Sequence, residues 1–386
     1  MVVRGLFFLL LIMLTSLLVD GLNKSSLAVA NLQVAGSLTG EELRILKHDE
    51  LEEMFSFLHR KRRFNGAVLV AQKGVVLYEE AFGWANRRRK DSLHLHSAFQ
   101  LASVSKIFTG AAVMLLQQEG KLNLDDELSL HLKGWPYEGM TIRHLLQHRS
   151  GLARYMAVAS WYWKKVGVDM TNQDVLRQYV RHKPVHFFTP GRGFNYCNTN
   201  YVILAQLVEE VSGLPFDRFM KERMFQPLGM ADAMIYSRKT DPEIPQEAIG
   251  YKAGWKGYYK APNDYIDGVW GDKNMYASVR DLWQFEQGLR ERALLTEESI
   301  AEIFTPGSPR RRNNYGLGWR MKVGEDPIYY HFGWWRGFRS CYLRDVKREL
   351  TIIILSNQDH PGLNLRYWDV YKRILALGYA TGEEVD

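Results

Sequence analysis

The sequence predicts an α+β fold in which an antiparallel sheet is built from both ends of the chain. Near the start, β-prone runs at residues 66–71 and 75–78 flank the turn signal Gln72-Lys-Gly74 and predict a hairpin. Helical patterns fill the middle of the chain, so we expect terminal helices packed on the sheet and an inserted helical subdomain. Further strand-like runs return late in the chain, at residues 315–321, 340–344 and 350–355.

Apolar residues at helical spacing, with capping residues and glycines at the ends, predict the helices in order. They cover residues 41–63, a segment beginning near Ser103, and residues 141–148, 198–211, 215–225, 281–289 and 365–377. Residues 236–271 are rich in Pro, Gly, Lys and Trp and are predicted to be a loop, long enough to line a site.

The composition is that of a globular protein with a large core. Of the 386 residues, 46% are hydrophobic and 13% aromatic, which suffices for one domain over residues 31–386 made of two subdomains. Much of the net charge of +7 sits in short basic runs at residues 60–63, 87–90 and 310–312. We interpret these runs as solvated loops and helix ends. An anionic cell envelope would explain part of the excess of positive charge. Because no wide basic face or recognition module is apparent, nucleic acid is not a predicted partner.

The N-terminus has the order of an export signal. Arg4 precedes the apolar run at residues 5–19, and polar residues then lead to Ala28-Val-Ala30. This order predicts a signal peptide over residues 1–30 and a protein that is periplasmic or extracellular. The alternative of an uncleaved membrane tether stays open, because the stretch after the apolar run is long for a cleavage region.

Ser103-Val-Ser-Lys106 is the first candidate for chemistry. On a helix, residues three apart share a face, so Ser103 and Lys106 can meet. A serine hydroxyl is a poor nucleophile until a base takes its proton, and a lysine held neutral by burial can be that base. A chain of this length contains roughly one or two such tetrapeptides by chance, so the pattern needs support from the rest of the chain.

Two later motifs give that support. A tyrosine beside a lysine can share its proton, which makes Tyr196 in Tyr196-Cys-Asn198 a candidate base, with Asn198 as a donor to a substrate carbonyl. The simpler interpretation, a tyrosine anchoring a helix whose N-cap is Asn198, stays open for this tripeptide taken alone. In His331-Phe-Gly333, a glycine on a strand lets a substrate backbone come close.

The other histidines and the cysteines are weaker signals. His144 and His148 have the spacing of zinc ligands, but no glutamate stands beside the first, and we predict no metal and no cofactor. A second His-x-Gly at His360 follows the last strand and contains proline, so we prefer His331. The two cysteines, Cys197 and Cys341, are expected to be free and buried.

The order Ser-x-x-Lys, Tyr-x-Asn, His-x-Gly resembles the serine β-lactamase-related family of class C β-lactamases, DD-peptidases, D-aminopeptidases and esterases. Longer flanking segments resemble the family as well, and the resemblance spans residues 50–378. The flanking segments that resemble the family are Thr141 to Leu152, Asn198 to Gly213, Phe225 to Met230 and Gly271 to Leu282, the last of which is a degenerate Gly-rich stretch. The resemblance implies a β-lactamase/transpeptidase-like fold.

The resemblance also implies a role for each motif residue. Ser103 would be the acylated nucleophile, Lys106 and Tyr196 the general acid and base, and Asn198 a substrate-orienting residue. The backbone N–H groups of Ser103 and Trp334 would hold the oxyanion, next to Gly333. His331 stands where class C β-lactamases carry lysine. A histidine at this position resembles the peptidase and esterase branches of the family more than the β-lactamases. The adjacent Trp334 and Trp335 would narrow the cleft, unless one of them packs in the core.

The function expected from this reading is an exported serine hydrolase acting on an ester or amide bond of a small-molecule or peptide-like substrate. Esterase and D-amino-acid peptidase are the leading activities, and a β-lactamase or penicillin-binding protein is the next. The alternative that is not an enzyme is a non-catalytic, envelope-binding module of the same fold. The intact Ser103, Lys106, Tyr196 and Asn198 favour the enzyme.

Overall fold

The structure is a computed structural model that describes residues 40–165, 167–237, 243–308, 313–359 and 367–377. The predicted signal peptide at residues 1–30 and the second His-x-Gly at His360 lie outside these residues. Within the described ranges, no helix combines the length and the apolar character that a membrane crossing requires.

Long strands occur near both ends of the described chain, and most of the helices lie between them in sequence. The helices are α1 (Gly40–Arg62), α2 (Ser105–Gln118), α3 (Ile142–Leu146), α4 (Tyr155–Tyr162), α5 (Asn172–His182), α6 (Asn198–Ser212), α7 (Phe216–Met220), α8 (Val279–Arg290), α9 (Glu297–Ile303) and α10 (Tyr367–Ala376). The strands are β1 (Gly66–Gln72), β2 (Val75–Phe82), β3 (Trp84–Asn86), β4 (Asp91–Ser92), β5 (Phe99–Gln100), β6 (Met234–Ile235), β7 (Tyr251–Gly254), β8 (Gly257–Lys260), β9 (Met275–Ala277), β10 (Asn313–Tyr315), β11 (Arg320–Lys322), β12 (Ile328–Trp335), β13 (Phe338–Asp345), β14 (Leu350–Ser356) and β15 (Gln358–Asp359).

The main sheet has seven antiparallel strands in the order β10-β11-β12-β13-β14-β1-β2. The predicted first hairpin is present, and its loop residues Lys73 and Gly74 both have positive φ, as two-residue loops favour. The first strand pairs with the last long strand, so an early and a late segment of the chain meet inside the sheet, next to its β2 edge. The prediction of a sheet built from both ends is confirmed.

Both faces of the sheet are covered. Val68 and Val70 of β1 pack with Phe55 of α1 and Ile374 of α10 on one face. Alternate residues of the same strand, such as Leu69, join the larger core that includes the helical subdomain on the other face. The strands β1 and β14 are therefore buried along their whole length and mostly apolar, rather than alternating, because neither face meets water.

Some predicted elements differ in the structure. Residues 315–321 form the ends of two strands, β10 and β11, because Gly318 has φ +96° and a Cβ there would lie 2.7 Å from the Lys106 carbonyl oxygen. The chain leaves the sheet at this point to pack on α2. The loop expected at residues 236–271 contains the β7–β8 hairpin. Helices α4 and α5 were not predicted, although α5 begins with a capping box of Thr171 and Asp174.

Candidate active site

Ser103 lies in a short 3₁₀ turn, Ala102–Val104, that leads from β5 into α2. The turn is held from two sides: the Leu101 N–H donates to Met275 of β9 at 2.8 Å, and the Ser340 hydroxyl of β13 donates to the Leu101 carbonyl at 2.6 Å. Ala102 has φ +49°, a left-handed conformation that costs about 1–2 kcal/mol for a residue with a Cβ. The surrounding hydrogen bonds thus fix the position of Ser103 against local strain.

Lys106 is fully buried one turn further along, in α2. Its Nζ lies 3.2 Å from the Ser103 Oγ and donates to the backbone carbonyl of Asp272 at 2.8 Å. Aromatic rings of Tyr196 and Tyr201 flank it, with centroids 5.2 and 5.7 Å from Nζ. No acidic side chain of the described residues pairs with Lys106. The predicted meeting of Ser103 and Lys106 on one helical face is confirmed.

The Asp272 carbonyl accepts the hydrogen bond from Lys106, and a buried polar network surrounds Asp272. Lys273, only 3% exposed, donates to the Tyr155 hydroxyl at 2.9 Å and to the Ile266 carbonyl at 2.8 Å, while its side chain faces Asp272 at 3.6 Å. Burial lowers the pKa of the Lys273 ammonium. Asn274 takes the positive φ of 67° that a glycine would supply in a Gly-rich stretch, which asparagine tolerates.

Tyr196 and Asn198 enter the site from the segment that starts α6. The Tyr196 hydroxyl and the Asn198 Oδ1 are buried atoms with no hydrogen-bond partner among the described residues. The N-cap of α6 is Cys197, without a side-chain cap, so the interpretation of Asn198 as the N-cap is wrong. Cys197 and Cys341 are both free and buried, as expected. The unpaired Tyr196 hydroxyl, on the ring that flanks Lys106, and the unpaired Asn198 Oδ1 leave hydrogen-bonding capacity for a substrate.

His331 is buried at the centre of β12 with both ring nitrogens engaged. Its Nε2 lies 3.0 Å from the Tyr315 hydroxyl and its Nδ1 lies 3.0 Å from the Phe332 carbonyl. A carbonyl only accepts, so Nδ1 carries the hydrogen and Nε2 accepts from Tyr315. Burial, reinforced by the charges of Arg320 and Lys106, lowers the pKa of His331 well below its ordinary value. A direct contact of His331 with substrate stays a prediction.

Gly333 brings β12 against the turn that carries Ser103. A Cβ at this position would overlap the Ser340 hydroxyl and the Leu101 carbonyl oxygen, and would lie 3.0 Å from the Ala102 Cβ. Only glycine therefore lets the strand approach this closely. The next residue, Trp334, is 63% exposed, with its Nε1 donating to Asp359 at 2.8 Å, whereas Trp335 packs partly against the core.

Two residues of the site were not predicted. Arg320 of β11 lies over the Tyr196 ring, its guanidinium carbon 4.6 Å from the centroid. His148 is fully buried, and the centroid of its ring lies 4.3 Å from the centroid of the Tyr196 ring. The sequence held only a weak signal for His148, its place in a family-like segment, and for Arg320 only a basic residue within a strand-like run.

The contacts of His148 fix its protonation. Its Nδ1 accepts from the Cys197 N–H and from the Asn200 amide, both at 3.1 Å, so the hydrogen sits on Nε2, which has no partner among the described residues. Burial lowers its pKa well below the ordinary value, and the charges of Lys106 and Arg320 lower it further. His144, four residues earlier, accepts from the Thr141 N–H through its Nδ1 in the capping box of α3.

Comparison with known proteins places the chain among related hydrolases. The sequence matches the family model described as Beta-lactamase over residues 51–376. It is 36% identical over 332 residues to penicillin-binding protein 4* of Bacillus subtilis, covering 81% of this chain and 72% of the relative. It is 29% identical to a D-aminopeptidase of Brucella anthropi, covering 83% of this chain and 60% of that protein, so it spans about three fifths of that relative's length.

Solved structures share the fold. The penicillin-binding protein from Bacillus halodurans matches with a TM-score of 0.73 at 26% identity, covering 83% of this chain and 98% of that one. The D-amino acid amidase from Ochrobactrum anthropi SV3 matches with a TM-score of 0.69 at 23% identity, covering 87% of this chain and 98% of that one. These matches confirm the predicted α+β fold and the resemblance on which it was based.

Proposed function

The chain belongs to the Beta-lactamase family, and from that premise we propose that it is an exported serine hydrolase working through an acyl-enzyme on an ester or amide bond. The observation that carries the proposal is the 3.2 Å separation of the Lys106 Nζ and the Ser103 Oγ at a buried site. This distance is within reach for direct proton transfer. Export rests on the sequence pattern of residues 1–30.

In the proposed acylation, the Ser103 Oγ attacks the substrate carbonyl carbon while its proton passes to Lys106, which acts as the base. The proton then reaches the leaving group through the Tyr196 hydroxyl, which has no hydrogen-bond partner among the described residues. The bond to the leaving alcohol or amine breaks, and the acyl group remains on Ser103. In deacylation the same Lys106–Tyr196 pair takes a proton from water as the water oxygen attacks the acyl carbon. The bond between the acyl carbon and the Ser103 Oγ then breaks, the pair returns the proton to Oγ, and the acid is released.

The developing oxyanion is assigned to the backbone N–H groups of Ser103 and Trp334. The close approach of β12 at Gly333 supports this assignment, because it puts residues 333–334 beside the Ser103 turn. Asn198, with its unpaired Oδ1, is assigned to orienting the substrate amide. Arg320 would stabilise negative charge that forms on Tyr196 during proton transfer, through its contact with the ring.

Among substrates, we favour amides of D-amino acids, with simple esters as the second class. Relatives named D-aminopeptidase and the amidase structure support this choice, and His331 in place of a lysine argues against a β-lactamase specialised for carboxylated lactams. A penicillin-binding protein remains the second candidate because the relative at 36% identity bears that name. A non-catalytic module would not need the paired Ser103 and Lys106.

The test is hydrolysis of D-alanine p-nitroanilide, its L-isomer and p-nitrophenyl acetate, with mass spectrometry of the protein after quenching. Ser103→Ala should lose turnover and the acyl adduct together. The matched control is Ser105→Ala, two residues along the same segment, where the hydroxyl is buried without a partner among the described residues. Turnover that persists in Ser103→Ala would sink the assignment, and turnover absent from every form would favour the binding module.

A further inference from the structure

The β7–β8 hairpin ends in the most exposed large apolar side chain of the described residues. Gly254 pairs with Gly257, so Trp255 and Lys256 form the whole loop. Trp255 is 97% exposed and makes no hydrogen bond or ring contact with a described residue. Two-residue loops normally favour Asn-Gly or Gly-Gly, so the turn itself does not explain a tryptophan at its tip.

The hairpin is also basic. Lys252, Lys256 and Lys260 lie within Tyr251–Lys260, which contains no acidic residue. Tyr259 is half exposed beside them. On β15, the strand partner of Lys252 is Asp359, whose carboxylate already pairs with Arg339 at 2.8 Å and accepts from Trp334.

Two basic runs that are distant in sequence converge on this hairpin through one side chain. Gln358 donates through Nε2 to the Arg63 carbonyl at 3.1 Å and to the Tyr258 hydroxyl at 2.6 Å, while its Oε1 accepts from Arg87. The Arg87 guanidinium also lies 4.4 Å from the centroid of the Tyr258 ring. The chain therefore gathers on one surface what the sequence presents as separate runs.

We call this surface the basic face: residues 60–63, residues 87–90 and the hairpin 251–260. Arg60 to Arg63 and Arg88 to Lys90 are exposed. Arg89 pairs with Asp91, which offsets one of these charges. The remaining cations lie on segments that contact the hairpin or belong to it, and the hairpin carries the exposed indole, a combination of charge and apolar tip that differs from an ordinary solvated loop.

We propose that the basic face docks on a bilayer containing anionic lipid, with Trp255 at the level of the headgroups. Lysine and arginine near such a surface are each attracted to its negative potential, and tryptophan is enriched at the interface between headgroups and acyl chains. A soluble polyanion would be attracted by the positive charges alone and would not need Trp255. The bilayer is favoured because the Trp255 ring stands free at the tip instead of lining a groove that could stack a polymer.

Docking in this way would bring the active site close to the membrane surface. Asp359 of β15 connects the two regions, since β15 pairs with β7 of the hairpin and Asp359 accepts from Trp334, at the end of the active-site strand. The proposal does not depend on the acyl-enzyme chemistry and can be tested separately from it.

The test is flotation of the full chain with vesicles of phosphatidylcholine, with and without phosphatidylglycerol. Trp255→Ala should weaken binding to the anionic vesicles roughly tenfold, and Lys252→Gln or Lys256→Gln about fivefold each, because each cation near the surface is worth about one kcal/mol. Trp161→Ala is the matched control, because Trp161 is 74% exposed on α4 and does not belong to the segments that make up the basic face. It should leave binding unchanged.

Any binding through residues 1–30 is common to all these variants, so the differences between them isolate the hairpin. Equal flotation with and without phosphatidylglycerol would overturn the proposal, as would equal losses from Trp161→Ala and Trp255→Ala. Binding that needs the lysines but not Trp255, and that dextran sulfate abolishes, would overturn it in favour of a soluble polyanion. Unchanged thermal unfolding of each variant establishes that the fold is intact.

Discussion

The guanidinium of Arg320 lies over the ring of Tyr196, 4.6 Å from the centroid, on the same tyrosine that approaches Lys106. No hydrogen bond or ion pair to a described residue neutralises Arg320. His148 and His331 are also close to this tyrosine, with ring centroids 4.3 and 6.0 Å away, and the lowered pKa of each keeps it neutral near pH 7. Arg320 is therefore the cation whose charge acts on the Tyr196 ring, while Lys106 is the partner of Tyr196 in the proposed proton transfer.

Replacing Arg320 by methionine should slow acylation while preserving the fold. Arg320 is half-buried, and a cation over an aromatic ring in such a place is worth about 1–2 kcal/mol, so we expect kcat/KM to fall roughly five- to thirtyfold. Arg320→Lys keeps the charge and should recover part of the loss. Stopped-flow acylation with an activated ester measures the effect. A methionine variant with unchanged acylation would show that Arg320 only packs against Tyr196.

The sequence predicted the parts of the site that lie within one element. Ser103 and Lys106 share a helical turn, and their contact follows from the period of the helix. Tyr196 and Asn198 were found by the Tyr-x-Asn motif, and their roles came from the resemblance that the order of the three motifs supports. Arg320 was missed because its contact with Tyr196 depends on how β11 is positioned against α6, a tertiary relationship that leaves no periodicity in the chain.

The same distinction explains the fold. The hairpin at residues 66–78 and the closing helix were predicted because their patterns are local. The break between β10 and β11 was missed because it arises from the approach of Gly318 to the Lys106 carbonyl, across more than two hundred residues of chain. The basic face was missed for the same reason, since Gln358 gathers runs that look like separate loops in the sequence.

Gly333→Ala should remove activity more strongly than stability. The new Cβ would overlap the Leu101 carbonyl, which is backbone and cannot rotate away, so β12 must move off the Ser103 turn. We expect a loss of at least a hundredfold in kcat, the size found when an oxyanion donor is misplaced. Gly120→Ala is the control, because it has positive φ but open space, and should cost about 1 kcal/mol of stability with full activity. Retained activity in Gly333→Ala would contradict the assigned oxyanion hole.

Lys273→Met should act on Lys106 through the backbone. Without its ammonium, the Tyr155 hydroxyl and the Ile266 carbonyl lose a donor, and the buried Asp272 carboxylate loses its cation. Breaking a buried pair costs about 3–5 kcal/mol, so thermal unfolding should occur at lower temperature. We also expect kcat to fall with little change in KM, because the Asp272 carbonyl that positions Lys106 shifts. The exposed Lys133→Met provides the comparison, and equal kcat in both variants would refute a positioning role.

The two buried histidines of the site should make the protein lose stability in mild acid. The pKa values of His148 and His331 are lowered in the folded state, whereas the unfolded chain titrates near the ordinary 6.5, so below that pH the unfolded state binds more protons. Stability is therefore fully present above about pH 6.5 and falls below it, by about 1.4 kcal/mol per pH unit for each histidine. His148→Asn keeps an acceptor near the Cys197 N–H and should reduce the slope by that amount. Urea unfolding between about pH 5 and 6.5, above the range in which most carboxylates titrate, measures it. An unchanged slope in His148→Asn would mean that His148 titrates normally in the folded protein.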